Sequence, residues 1–234
     1  MDDQFTMTVR ESIDKFIAFF RQQRLDIGQI EALPIYRKIL YLVEIDALSR
    51  AAFPSEKGHK DRVLKFLNEY SNWSIRDRVS AIHLQHSLKT NGELSGPLFD
   101  LVTAQVQEFK IRKSKIYPND DLTIEEVQCS ACSEVPSIVK EARYDELFYT
   151  YRNTLIHEFR EPGKYQLPFE EYPNPFWDRV LILNAREMPW ELVFPEKFLE
   201  KLCEGCINGL ERCLIEQNRD PLLAYKFETP WPRR

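Results

Sequence analysis

Apolar residues open the chain at helical intervals. Val9, Ile13, Phe16, Ile17 and Phe20 fall at i, i+4, i+7, i+8 and i+11, the single stripe of an amphipathic helix over about Thr8 to Arg24, with Gly28 as the break after it. From Pro34 to Phe53, "PIYRKILYLVEIDALSRAAF", nearly every face is apolar. That predicts a central buried helix with proline at its first position. Glu44 and Asp46 interrupt it and read as a solvated strip rather than as half-buried acids near a functional surface. Val63, Phe66, Leu67 and Tyr70 mark a short helix. Ser74 with Asp77 resembles a capping box opening a helix through about Lys89. After the turn "KTNGELSGP", Leu98, Leu101, Val102, Val106 and Phe109 trace another helix. The pattern dissolves into a polar connector from Tyr117 to Pro136, and helical periodicity returns from about Glu141 to Arg160. Pro162, Pro168, Pro173 and Pro175 then break it. Two β-like runs follow, "WDRVLILN" and "WELVF", and predict a small hairpin or meander. The last helix spans about Pro195 to Gln217.

This order predicts a mainly α fold, a helical bundle with a small β-hairpin inserted before the last helix. It reads as one domain over 1–234, with an N-terminal helix within 1–30, a proline-rich loop and hairpin over 161–194 and a tail over 218–234. Scarce glycine (7 of 234) and frequent aromatics (12%) favour the same class. No apolar run approaches a membrane span, and the acidic start "MDDQFTMTVRES" lacks a secretory apolar stretch. A cytoplasmic protein is expected.

A net charge of −5 disfavours a scaffold that coats nucleic acid non-specifically. A cleft that touches RNA locally needs only local positive charge. The run "KIRKSK", with Lys110, Arg112, Lys113 and Lys115, is the candidate patch, or else a solvated helix end. Five cysteines are an odd number for a disulfide framework. Cys129/Cys132 and Cys203/Cys206 have zinc-like spacing. However, Leu202, Cys206, Leu210 and Cys213 recur on one helix face, so these cysteines read as small core residues. His83 and His86 at i, i+3 have no third ligand nearby and read as surface or packing residues. No metal and no cofactor are expected.

The candidate chemistry lies in "YRNTLIHEFREPG". On a wheel of about 100° per residue, Tyr144, Leu147, Phe148, Tyr151, Leu155 and Phe159 form a core stripe. Arg152, Asn153, His157 and Arg160 fall around the other side, with Tyr149 and Ile156 between Arg152 and His157. A polar face with an apolar centre suits contact with another surface. Asn153 and His157 are one turn apart, so the amide can orient the imidazole. Arg152 and His157 are about 140° apart, and two copies across a two-fold axis would bring both pairs into one cleft. Arginine offers bidentate donors to phosphate, histidine exchanges protons near neutrality, and asparagine can hold a ribose, a phosphate or the imidazole. Such a set suits RNA cleavage in which the 2′-hydroxyl attacks the adjacent phosphate. R-x₄-H taken alone recurs by chance.

"YRNTLIHEFREPG" resembles the R-x₄₋₆-H signature of the HEPN superfamily (higher eukaryotes and prokaryotes nucleotide-binding), with Arg152, Asn153 and His157 matching its R-N-x-x-x-H form. "ILYLVEIDALSRAAFP" resembles the buried early helix of stand-alone bacterial members, and "WELVFPEKFLEKLCEGCINGL" the strand and final helix of some of them. The resemblance covers about residues 35 to 215, and the hexapeptide is its one sharp motif. It implies a HEPN-like bundle acting as a metal-independent endoribonuclease on single-stranded RNA. The site would be shared by a homodimer, in a toxin–antitoxin or anti-phage defence setting, with any antitoxin or defence partner encoded separately. His157 would be the general base or acid, Arg152 would hold the scissile phosphate, and Asn153 would orient imidazole or substrate. Arg160 and the run Lys110, Arg112, Lys113 and Lys115 are candidate RNA contacts. The alternative is an inactive HEPN module that binds a nucleotide or a protein partner.

Overall fold

The computed structural model describes residues 7–31, 33–131, 137–163, 170–180 and 189–224. The chain is mainly helical. In order it forms α1 (Val9–Gly28), α2 (Pro34–Ala52), α3 (His59–Tyr70), α4 (Ala81–Thr90), α5 (Pro97–Arg112), β1 (Lys115–Ile116), α6 (Ile124–Ala131), α7 (Ser137–Glu141), α8 (Tyr144–Glu158), β2 (Phe176–Arg179), β3 (Trp190–Val193) and α9 (Glu196–Glu216). Contacts gather these elements into two compact units, one of Met1–Trp73 with Leu199–Arg234 and one of Ser74–Phe198.

The first unit holds α1 to α3 and most of α9. Thr8 caps α1 through a reciprocal box with Glu11, which satisfies two end donors at once. The predicted stripe of Ile13, Phe16, Ile17 and Phe20 is buried. Gly28 is the last residue of α1 rather than a break beyond it. Pro34 opens α2 as expected. Glu44 corrects the solvated-strip reading: it is only 5% exposed, beside Cys203 and Arg24, and burial pushes its carboxyl up to about 7 against the smaller pulls of those two neighbours. Cys203 and Cys206 are buried thiols of the core, raised by burial, as the helical spacing predicts. Gly209 of α9 meets the backbone of Tyr70 at the end of α3, and Gly205 meets Asn72.

The second unit holds α4 to α8 and a three-stranded antiparallel sheet ordered β1-β2-β3. The expected pairing of the two late strands is present, with Phe176 opposite Val193 and Arg179 opposite Trp190; their connection at 181–188 lies outside the described residues. The third strand is an addition: Lys115 and Ile116 pair with Asp178 and Trp177, and Lys115 Nζ reaches Asp178 Oδ1 at 3.0 Å across that pair.

Three expected boundaries shift. The helix predicted from Ser74 begins at Ala81, where the Ser80 hydroxyl caps the His83 N–H at 3.2 Å. Val79 before it is drawn into extended bridges with Leu122 and Arg143. The connector after Tyr117 contains α6, opened by a reciprocal box between Thr123 and Glu126. The helix predicted over Glu141 to Arg160 is α8, Tyr144–Glu158, and the short α7 precedes it and ends at Glu141. Phe159 adopts a left-handed φ of 57° as the C-cap, so it leaves the core stripe and is 56% exposed.

Candidate active site

α8 carries the motif, and its first turn is fixed to the rest of its unit by main-chain and buried polar bonds. The Tyr144 and Asp145 N–H groups donate to the carbonyls of Arg78 and Arg76 at 3.0 and 2.9 Å. Tyr144 Oη donates to Asp121 Oδ2 at 2.7 Å, while Asp121 Oδ1 accepts from the Ala81 N–H at 2.9 Å. Asp121 thus ties the start of α4 to α8. Burial pushes its carboxyl up to about 7, opposed by those two hydrogen bonds. Further along, Phe148 and Tyr151 pack on Phe194, with ring centroids 5.6 and 4.9 Å apart. Tyr151 Oη donates to Glu161 Oε1 at 3.0 Å. Hydrogen bonds thus fix the first turn of α8, and the packing of Phe148 and Tyr151 holds its middle.

Arg152 departs from the expected outer face. It is only 7% exposed. The buried arc of α8 is wide: it runs from Leu147 through Tyr151, Leu155 and Phe148 to Asp145. At about 100° per residue, Arg152 falls inside that arc, between Phe148 and Asp145. Its aliphatic stem can share an apolar wall while the guanidinium keeps polar company. Arg152 Nη1 donates to Asn153 Oδ1 at 2.8 Å. The Asn153 oxygen therefore serves Arg152, where the i, i+4 spacing suggested His157. Asn153 is half-buried and His157 is exposed on the last turn, with no hydrogen bond among the described residues. Arg160 lies beyond the helix end in an ion pair with Glu158.

The run Lys110 to Lys115 is not a single free basic face. Arg112 pairs with Glu108 at 2.8 Å, Lys113 with Asp120, and Lys115 with Asp178 at 3.0 Å. Lys115 also sits 5.0 Å from the ring centre of Phe176. The Lys110 carbonyl accepts from Arg179 Nη1 at 2.9 Å. Three neighbouring carboxylates thus offset most of the local positive field.

Two cavities stand out. The larger, about 710 Å³, lies in the first unit between α1 and α2. Its walls are apolar, with Phe16, Phe19, Phe20, Leu40 and Val43 among them. The smaller, about 230 Å³, borders α8 itself through Leu147, Thr150 and Tyr151. Across from them stand Trp177, Trp190 and Phe194 of the sheet region, with His83 of α4 and Glu191 of β3. Burial, and next to it the charge of His86, pushes the His83 imidazole down, towards the neutral form. None of these sheet residues stood out in the sequence. The one available signal is the repeated W-[DE]-x-V of "WDRV" and "WELV", where acidic residues follow tryptophans on paired strands. Among the described residues no three His, Cys, Asp or Glu side chains gather as metal ligands would. Cys132 lies outside the described residues.

No helix among the described residues is long and apolar enough to cross a membrane. No family model matches the chain, and neither a curated protein nor a solved structure matches it.

Proposed function

We propose that the chain is a metal-independent endoribonuclease that cleaves single-stranded RNA at a site shared by two copies, in a toxin–antitoxin or anti-phage defence setting. The observation that carries the reading is on α8. A guanidinium oriented by its neighbouring amide, Arg152 on Asn153, stands one and a half turns before an exposed imidazole, His157, on a helix whose first turn is fixed by hydrogen bonds. His157 takes the proton of the 2′-hydroxyl as that oxygen attacks the adjacent phosphorus. The bond from phosphorus to the 5′-oxygen breaks, giving a 2′,3′-cyclic phosphate. His157 of the second copy supplies the proton to the departing 5′-oxygen. Arg152 stabilises the charge that develops on the phosphoryl oxygens, and Asn153 positions Arg152. The angular separation of Arg152 and His157 is the reason for two copies.

The test is purified protein on end-labelled RNA in excess EDTA. Cleavage is expected to persist in EDTA and to fall by a factor of ~100 or more in His157→Ala, an exposed position where truncation leaves the core intact. Arg152→Lys keeps charge but loses the planar donor pair and is expected to fall comparably. Cleavage that stops in EDTA, or survives in both variants, would overturn the mechanism. Two observations favour the second reading, a binding module without catalysis: Arg152 is buried, and the basic run is paired with acids. RNA left uncut by a folded wild-type dimer would establish that alternative.

A further inference from the structure

α1 and α2 form a helical hairpin, with α1 ending at Gly28 and α2 beginning at Pro34. So short a connection sets the two helices antiparallel. α1 turns one face to α9, where Arg21 Nη2 meets Glu211 Oε2 at 2.6 Å and Arg24 Nη1 meets Glu200 Oε1 at 3.5 Å. A different face borders the cavity of about 710 Å³. There Lys15, Phe19, Gln23 and Asp26 fall at i, i+4, i+8 and i+11, which makes one ridge along the helix. Leu40 and Val43 of α2 line the same cavity. They belong to an exposed strip, Leu33, Tyr36, Leu40 and Val43, at i, i+3, i+7 and i+10. Phe19 is 57% exposed on the ridge. Contiguous apolar surface of this kind marks contact with a partner.

We propose that this groove is an interface between two copies of the chain, whose α1 helices pack antiparallel about a two-fold axis near Phe20. The charges select that occupant. Lys15 stands at one end of the ridge and Asp26 at the other, about 16 Å apart along α1. An antiparallel copy sets Lys15 against the partner's Asp26, and Asp26 against the partner's Lys15. Phe19, between them, enters the partner's groove. The same contact then occurs twice, as a two-fold interface requires. A parallel copy would set like charge against like, which interfaces avoid. Both charges are placed to take a partner. Lys15 is exposed one turn after Glu11, whose carboxylate is engaged at Thr8. Asp26 is exposed and accepts one hydrogen bond, from Gln22 Nε2 at 2.8 Å, which leaves its second oxygen for a cation. A small apolar ligand would use the walls and one charge at most, whereas a second copy uses the walls and both charges. The two hairpins together make a four-helix arrangement. α1 and α2 lie in the first unit and α8 in the second, so the proposal is independent of the ribonuclease reading.

The experiment is sedimentation equilibrium of the purified full chain, with folding of each variant checked by circular dichroism. The parent is expected to form dimers at micromolar concentration. Phe19→Glu and Leu40→Glu, both at exposed positions, are each expected to weaken the dimer by about 100-fold or more. Lys15→Asp and Asp26→Lys each place two like-charged pairs in the interface and are each expected to weaken it by about tenfold. The double variant Lys15→Asp with Asp26→Lys restores opposite charges and is expected to return to within about threefold of the parent. That rescue separates an antiparallel pairing from a general loss of apolar contact. A parent that stays monomeric overturns the proposal, and a monomer that binds a long-chain fatty acid overturns it in favour of a small apolar ligand. A dimer that survives both Phe19→Glu and Leu40→Glu overturns it and moves the pairing to another face, α8 included. A double variant no tighter than the single ones overturns the antiparallel arrangement.

Discussion

The close approach of α9 to the end of α3 gives a prediction whose sign depends on two opposing terms. Gly205 and Gly209 are one turn apart on α9, and both face the end of α3. Replacing either by alanine removes a flexible residue from a helix interior, which favours folding by about 1 kcal/mol. The new methyl meets different surroundings at the two positions. At 205 its nearest neighbour would be the Asn72 nitrogen at 3.3 Å, a tight contact that a few tenths of an ångström relieve. At 209 it would overlap the Tyr70 carbonyl oxygen and stand 2.9 Å from that residue's carbonyl carbon and Cα. Those atoms are main chain and cannot rotate away, so α3 and α9 must separate and lose the packing of their buried faces. Overpacking of a rigid wall costs about 1–3 kcal/mol or more, beyond the helix gain. Gly209→Ala is expected to lose about 2 kcal/mol net and about 4–8 °C in Tm, while Gly205→Ala stays within about 1 kcal/mol of the parent. Urea unfolding followed by circular dichroism, with thermal melts of both variants, measures the contrast. A Gly209→Ala protein as stable as Gly205→Ala would refute the close approach.

Three further outcomes follow from the buried polar groups and from the end of α8. Glu44, moved from an ordinary 4.5 to about 7, holds its proton more tightly when folded. Its contribution to stability is therefore intact below about 4.5 and is lost as pH rises towards 7 and above. Glu44→Gln is expected to gain about 1–3 kcal/mol at pH 8 relative to its effect at pH 4.5, read from paired urea curves; a gain independent of pH would refute it. Asp121→Ala strands the Ala81 N–H and the Tyr144 hydroxyl in the core and should cost about 2–5 kcal/mol, seen as a lower urea midpoint. Phe159→Gly relieves a left-handed residue and is expected to add about 1 kcal/mol, read as a higher urea midpoint; an unchanged or lower midpoint would refute it.

The long elements were legible because burial follows the helical repeat in α1, α5 and α9. Pro34 set the start of α2 correctly, while the Thr8/Glu11 box that opens α1 went unread although the sequence carries it. The Thr123/Glu126 box was equally readable, yet the polar stretch around it masked α6. β1 escaped because two residues carry no periodicity. Arg152 was placed outside on a wheel whose core stripe was drawn too narrow, and Glu44 by its charge, while the buried arcs of α8 and α2 extend past their apolar residues. A long side chain can bury its stem there, and a carboxyl can shift its protonation instead of leaving. The motif on α8 was legible since its residues are contiguous. The cavity beside it was not, because His83, Thr150 and Trp190 come from three distant segments that only the fold assembles.

The division of the chain also sets an order of assembly. The unit that bears Arg152 and His157 is one continuous segment, Ser74–Phe198, whereas the other joins the chain's beginning to Leu199 and beyond. During synthesis, the continuous unit can close as soon as residue 198 has emerged. The three N-terminal helices must wait for α9, with the apolar faces that will bury Cys203, Cys206 and Leu210 still open to water. Non-local closure of this kind is slow, and nascent chains stalled before α9 are the species most exposed to aggregation. A chaperone acting on this protein would find its substrate in α1 to α3 rather than in the segment that carries the motif.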